Sequence, residues 1–144
     1  MRVSVNFFFE KTSFRIKKKT IIASWIKTIV THEKKRTGTI CFIFCDDSSL
    51  ADINTQYLNR ENYTDVIAFD YSEGNRVSGD IYISIERVEE NAGKFKIPFI
   101  EELFRVMAHG VLHLTGYSDS DRSEKLDMTL KENIYIKDIY NKYL

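Results

Sequence analysis

The sequence predicts an α+β fold, in which a small mixed four-stranded sheet is covered by about five helices within one domain spanning residues 1–144. Four runs are rich in β-branched and aromatic residues, as strands are, and five segments carry helical periodicity or helix-start signals. No repeat, low-complexity tract or linker interrupts the 144 residues. A chain of this length can bury a substantial hydrophobic core.

The strands are predicted from short apolar runs. In chain order they are Val3–Phe9, Thr39–Cys45, Val66–Phe69 and Ile81–Ile85. The second run is almost continuously apolar, which is typical of a central strand buried on both faces. A polar segment containing Gly74 and Gly79 joins the last two runs.

The helices are predicted from periodicity and capping signals. In chain order they are Ser13–Thr31, a short helix capped by Asp47 or Ser48 and ending at Tyr57, Glu86–Ala92, a helix that starts at Pro98 and ends near Leu114, and Ser120–Tyr143. The first has an apolar face formed by Ile16, Ile21, Ile22, Trp25, Ile26 and Ile29. The fourth is expected to pack centrally, and the last carries Leu126, Leu130 and Ile134 on one stripe. Asn59–Tyr63 is predicted to be a loop.

Composition narrows the class of protein. Hydrophobic residues make up 43% and charged residues 29% of the chain, the profile of a soluble globular domain. No apolar run approaches the roughly 20 residues that span a bilayer, and the N-terminus lacks a signal-peptide layout. Cys41 and Cys45 on one strand would lie about 13 Å apart, too far for a disulfide. Free core thiols are typical of a cytoplasmic protein.

The charge pattern is balanced overall. The formal net charge is zero, which argues against a generic nucleic-acid coat but leaves room for a local basic patch. Two basic clusters exist, formed by Arg15, Lys17, Lys18 and Lys19 and by Lys34, Lys35 and Arg36. Each cluster either contacts phosphates or forms an ordinary solvated surface. His32, beside the second cluster, is predicted to be a surface residue.

The segment around two histidines predicts a metal site. His109 and His113 are four residues apart, so on a helix they share one face. Gly116 lies where that helix should end, and the chain can then turn back to bring Asp119 to the same ion. Three protein ligands leave a tetrahedral metal with one open position, as in catalytic sites. Asp121 is a competing ligand, and this acidic segment could also cap the next helix.

The spacing is similar to the long zincin motif of metallopeptidases, with two departures. Gly110 occupies the position of the zincin glutamate, which is the general base of those enzymes. Asp119 occupies the position of the third histidine. A zinc peptidase is therefore the less favoured hypothesis.

The run His-Gly-x-Leu-His-Leu-x-Gly-Tyr, starting at His109, instead resembles the YbeY family of rRNA maturation factors, described as metal-dependent endoribonucleases. Three upstream blocks resemble segments of that family in the same order. They are Ile53–Tyr57, Thr64–Phe69 and Gly79–Ile83. With the histidine run, the resemblance spans roughly residues 50 to 120.

The resemblance implies an activity, a cofactor and partners. It implies a single-strand-specific endoribonuclease of rRNA maturation, including the 3' end of 16S rRNA, and of ribosome quality control. It implies one Zn²⁺ per chain, held by His109, His113 and Asp119, and partners in ribosomal RNA and the ribosome or its small-subunit proteins. The protein is expected to be monomeric and away from membranes.

The chain departs from the family's pattern near the site. Asp119 stands where most members have a third histidine, and a carboxylate ligand makes the metal a weaker Lewis acid. The family's arginine aligns with Leu58, and Tyr63 replaces its proline. Arg60, two residues after Leu58, is a candidate to supply the missing cation.

The remaining site residues are predicted less specifically. Arg60 or Arg105 would neutralise the phosphate; Arg105 lies one turn before His109, although an ion pair with Glu101 or Glu102 explains it equally well. Candidates for the general base are Asp65, Asp80 and Asp121, each of which also has a structural explanation. The rival hypothesis is a zinc-stabilised assembly factor that binds rRNA or ribosomal proteins without cleaving.

Overall fold

A computed structural model describes residues 3–58 and 64–144 and confirms the predicted α+β fold. The elements are β1 (Ser4–Glu10), α1 (Lys19–His32), β2 (Arg36–Cys45), α2 (Asp47–Leu58), β3 (Val66–Asp70), β4 (Arg76–Ser84), α3 (Ile85–Phe95), α4 (Phe99–Leu114) and α5 (Arg122–Tyr143). The predicted loop Asn59–Tyr63, with Arg60, lies outside the described residues.

The four strands form one mixed sheet in the order β1-β2-β4-β3. Strand β2 pairs in parallel with β1 on one side and with β4 on the other, while β3 pairs with β4 antiparallel. Phe42 of β2 lies opposite Phe7 of β1 and Ile81 of β4. The prediction that β2 is a central strand is confirmed.

Helix α4 occupies the centre of the main core, as predicted. It packs against β3 and β4 on one side and against α1, α3 and α5 on the others. Phe104 and Met107 are completely buried within it. Trp25 of α1 stacks edge-on against Phe104, with ring centroids 5.4 Å apart, and donates from Nε1 to the carbonyl of Tyr135 at 2.9 Å. Two of the three predicted metal ligands, His109 and His113, thus lie on the most deeply buried helix described.

A smaller core lies under α2. Leu50, Cys45 and Ile67 are buried there. Both cysteines are free thiols, as predicted, and burial raises the pKa of Cys45 to about 12. None of the helices in the described parts of the chain is long and apolar enough to cross a membrane.

Three helices begin later in the chain than predicted. Helix α1 begins at Lys19 rather than Ser13, because Lys18 adopts a left-handed backbone conformation with φ 55° that a helix cannot continue through. Ile16 is nevertheless buried, so its apolar side chain fills the core from a non-helical segment. Pro98 is the N-cap of α4 rather than its first helical residue, and α5 begins at Arg122 rather than Ser120.

The stripe of Leu126, Leu130 and Ile134 faces solvent. These side chains are between 54% and 59% exposed. The face of α5 that packs on the protein is formed instead by Met128, Glu132, Tyr135, Ile136 and Ile139. A charged residue, Glu132, therefore lies on the buried face, where the apolar periodicity gives no sign of it.

Candidate metal centre

The histidine pair sits on the last turns of α4 and the carboxylate on the turn that follows. Nε2 of His109 lies 3.0 Å from Nε2 of His113. Gly116, with φ 112°, ends the helix, and the amide of Tyr117 donates back to the carbonyl of Leu112 at 3.0 Å. The reversed chain places Oδ2 of Asp119 3.4 Å from Nε2 of His109 and 3.6 Å from Nε2 of His113.

The other ring nitrogen of each histidine is engaged by the protein. Nδ1 of His109 lies 2.7 Å from Oε2 of Glu132, and Nδ1 of His113 lies 3.1 Å from the carbonyl oxygen of Tyr117. Donation from both Nδ1 atoms leaves the Nε2 lone pairs directed at Asp119. This pattern of outer partners is the one that fixes the tautomer of metal-binding histidines.

The geometry fits a small divalent metal. Donor atoms bound tetrahedrally at about 2.0–2.1 Å lie about 3.3 Å from one another, close to the separations between the two Nε2 atoms and Asp119 Oδ2. The donor set of two imidazoles and a carboxylate suits zinc. These three residues are the group in the described chain whose ligand atoms converge closely enough to hold an ion.

Burial and charge set the protonation of the two histidines in opposite directions. Burial lowers the pKa of His109, but the hydrogen bond and negative charge of Glu132 outweigh it, so the pKa lies above its usual value. Burial and the neighbouring His109 lower the pKa of His113. Without a metal, His109 therefore holds a proton more readily than His113 does.

Gly110 explains why the zincin glutamate has no place here. A Cβ atom on Gly110 would lie 2.7 Å from Cγ2 of Ile81 on strand β4. The position therefore faces the sheet at close approach, and any larger side chain would collide with the core. The peptidase hypothesis loses its general base for a steric reason as well as a chemical one.

The predicted phosphate-binding residue Arg105 is already paired. Its guanidinium lies 3.2 Å from Oε1 of Glu132 and donates to Oδ1 of Asn133 at 2.9 Å. The predicted alternative partners on α4 itself, Glu101 and Glu102, do not form this pair. The arginine side chain is 29% exposed and lines the same small cavity as His109. Arg60, the other predicted cation, lies outside the residues described.

The three candidate bases occupy different surroundings. Asp65 lies near His109, lining the same small cavity. Asp80 lies between Gly79 and Ile81, whose positions face α4, so strand alternation points Asp80 to the opposite side of the sheet. Asp121 is the N-cap of α5, accepting from the amide of Glu124 at 2.8 Å in a capping box. The fold thus brings only Asp65 of these three toward the histidines.

Two acidic residues near the site were missed from the sequence. Glu132 and Glu102 line a cavity of about 110 Å³ together with Asp65, Arg105 and His109. Glu102 is only 3% exposed, and its Oε1 has no hydrogen-bond partner among the described residues. Burial, reinforced by the charge of Asp65, raises the pKa of Glu102 to about 7. Both residues lie on predicted helices, but helical periodicity does not distinguish a buried acid from an exposed one.

Stability should fall as pH rises through neutrality because of Glu102. Its folded-state pKa lies above the unfolded value of 4.5, so its contribution is fully present at low pH and is lost as pH rises through about 7. We expect Glu102→Gln to remove this loss. Between pH 5 and pH 8, the unfolding free energy of wild type should fall by about 2 kcal/mol more than that of the variant. Urea unfolding of the metal-free proteins at both pH values tests this. Parallel pH dependences for the two proteins would contradict it.

The chain is similar to known proteins over most of its length. Residues 6–140 match the family described as Endoribonuclease YbeY. A relative of that name from Flavobacterium psychrophilum is 52% identical over 86% of this chain and 89% of its own. Another from Karelsulcia muelleri is 45% identical over 97% of this chain and 99% of its own. The solution structure of TM1509 from Thermotoga maritima has the same fold, with a TM-score of 0.64 at 24% identity, covering 95% of this chain and 91% of that one.

Fold and site together define an α+β protein whose central helix ends at a group of two histidines and one aspartate that could hold a metal ion. Within that class, the sequence match over nearly the whole chain is decisive. The chain belongs to the YbeY endoribonuclease family. The resemblance inferred from the histidine run is confirmed.

Proposed function

We propose that this protein is a zinc-dependent endoribonuclease that hydrolyses single-stranded RNA during ribosomal RNA maturation, including the 3' end of 16S rRNA, and in ribosome quality control. The observation that carries the proposal is the convergence of the Nε2 atoms of His109 and His113 on Oδ2 of Asp119. The Nδ1 atom of each histidine is hydrogen-bonded to another part of the protein. Family membership supports the substrate class, since the relatives bear the name endoribonuclease.

Each residue has a proposed role in phosphodiester hydrolysis. His109, His113 and Asp119 hold one ion, which when bound supplies an activated water and polarises a phosphoryl oxygen. The accessible side of Arg105 contacts the scissile phosphate. Asp65 is the proposed proton acceptor, because it shares a cavity with His109 and its burial raises its pKa toward the range useful for a general base.

The proposed setting is the cytoplasm, where the protein acts as a monomer on ribosomal RNA and contacts the small ribosomal subunit. The two free thiols favour a reducing compartment. The zero net charge indicates that RNA contacts come from local clusters, such as the one at Lys34, Lys35 and Arg36, rather than from the whole surface.

The first test combines metal content with cleavage. Purified protein should contain about one zinc per chain and cut a single-stranded RNA oligonucleotide, and removal of the metal by a chelator should stop cleavage until zinc is restored. Asp119→Ala should lose zinc and cleavage but keep a cooperative thermal transition, because Asp119 is 42% exposed and its removal empties no core volume. Asp119→Asn serves as the isosteric companion variant.

The alternative is a zinc-stabilised assembly factor that binds RNA or ribosomal proteins without cutting. The observation that favours it is Asp119 itself, since a carboxylate in place of the family's third histidine weakens the Lewis acid. Bound zinc with equal trace cleavage by wild type and Asp119→Ala would support this alternative. Loss of the thermal transition in Asp119→Ala would show that the ion is structural.

A further inference from the structure

A buried acid outside the proposed metal centre is connected to it by one tyrosine. Glu33 ends helix α1, and its side chain is only 8% exposed. Its Oε1 accepts from the hydroxyl of Tyr117 at 2.7 Å, and its Oε2 accepts from the hydroxyl of Tyr135. Lys131 lies 3.4 Å from the same carboxylate. Glu33 thereby ties α1 to α5 and to the turn after α4.

Tyr117 is held at both ends. Its amide donates to the carbonyl of Leu112, and its hydroxyl donates to Glu33. Between these two anchors, its carbonyl oxygen lies 3.1 Å from Nδ1 of His113, the contact that directs the other nitrogen of that ring toward Asp119. Two residues further along the same turn is Asp119 itself. The position of Tyr117 therefore affects two of the three proposed ligands.

We propose that Glu33 is a positioning residue for the metal centre, acting through Tyr117 to hold His113 and the turn that carries Asp119. This inference rests on the proposed metal site. Glu33 touches no ligand, lies 84 residues before Tyr117 in sequence, and belongs to none of the motifs that mark the site.

The charge state suits this role. Burial raises the pKa of Glu33, but the hydrogen bonds from Tyr135 and Tyr117 and the charge of Lys131 outweigh it, so the pKa lies below its usual value. Burial and the adjacent carboxylate raise the pKa of Tyr117 to about 12. The pair is thus an ionised acceptor and a protonated donor across the neutral range, which is the stronger kind of hydrogen bond.

The fold offers a matched control. Tyr135 donates to the same carboxylate as Tyr117, but the other hydrogen bond described for its hydroxyl is with His32, at 2.7 Å, rather than with the turn that carries the ligands. Tyr117→Phe and Tyr135→Phe each remove one hydroxyl from Glu33 and keep the aromatic ring. A merely structural role for Glu33 predicts that the two variants behave alike.

The test is zinc affinity of the full-length protein, measured by competition with a chromogenic chelator, together with thermal unfolding of the metal-free form. We expect Tyr117→Phe to bind zinc about tenfold more weakly, Tyr135→Phe to bind it like wild type, and both to lose comparable stability. If Glu33 acts through Tyr117, Glu33→Gln should weaken zinc binding in the wild-type background but have little further effect in Tyr117→Phe.

Two results would overturn the inference and are distinguishable. Equal zinc affinities for Tyr117→Phe and Tyr135→Phe, with tight binding by wild type, would show that the network only stabilises the fold. Failure of the wild-type protein to bind zinc at all would overturn the proposed metal site, and this inference with it.

Discussion

Replacing His109 by alanine should abolish zinc retention and RNA cleavage together. The variant loses a direct ligand, and it also leaves Glu132, whose side chain is 6% exposed, without its partner 2.7 Å away. Loss of an outer-sphere partner typically costs 10–100-fold in metal affinity, so loss of the ligand itself should cost more than about 100-fold. Zinc content after dialysis and cleavage of a single-stranded oligonucleotide are the measurements.

His32, the remaining histidine of the chain, provides the matched control. His32 is 58% exposed and contacts none of the proposed ligands, so His32→Ala should retain zinc and full cleavage. Cleavage that persists in His109→Ala at the wild-type rate would contradict the proposed site. If every variant cleaved RNA at the same low rate, the cleavage would come from a contaminating nuclease.

The convergence of the three candidate ligands was predictable because it depends on local geometry. Helical spacing brings His109 and His113 together, and the glycine after them has the φ of 112° that returns the chain toward Asp119. The order of strands and helices was predictable for the same reason, since β2 contains a nearly continuous apolar run and α4 carries an apolar face at helical spacing. These patterns directly report how each element is buried.

What the sequence did not reveal depends on contacts between distant elements. Lys18, immediately before α1, has a left-handed backbone, which no feature of its side chain indicates. Glu132 looks like an ordinary charged residue of a polar helix, yet it lies on the buried face of α5, whereas Leu126 and Leu130 face solvent. The carboxylate that orients His109 comes from a helix 23 residues further along the chain. Only the tertiary packing of α4 against α5 reveals that role.

Glu132→Ala should weaken both the site and the fold. The carboxylate accepts from His109 with one oxygen and pairs with Arg105 through the other, at 2.7 and 3.2 Å. Removing it leaves a histidine and an arginine, both partly buried, without their shared acceptor. Breaking such a pair from one side costs roughly 3 kcal/mol in unfolding free energy, and we expect zinc affinity to fall about 10–100-fold. Urea unfolding and chelator competition measure the two effects separately.

The isosteric Glu132→Gln variant separates charge from shape. It keeps an oxygen that can accept from His109 but removes the negative charge that raises the pKa of that histidine. The histidine pKa, followed by NMR in the metal-free protein, should therefore fall, and zinc affinity should lie between those of wild type and Glu132→Ala. Asp138→Asn on the same helix, which breaks only an exposed pair with Lys142, should change neither quantity. An unchanged histidine pKa in Glu132→Gln would mean that Glu132 does not hold His109 in solution. The orientation of the Nε2 atom would then need another cause.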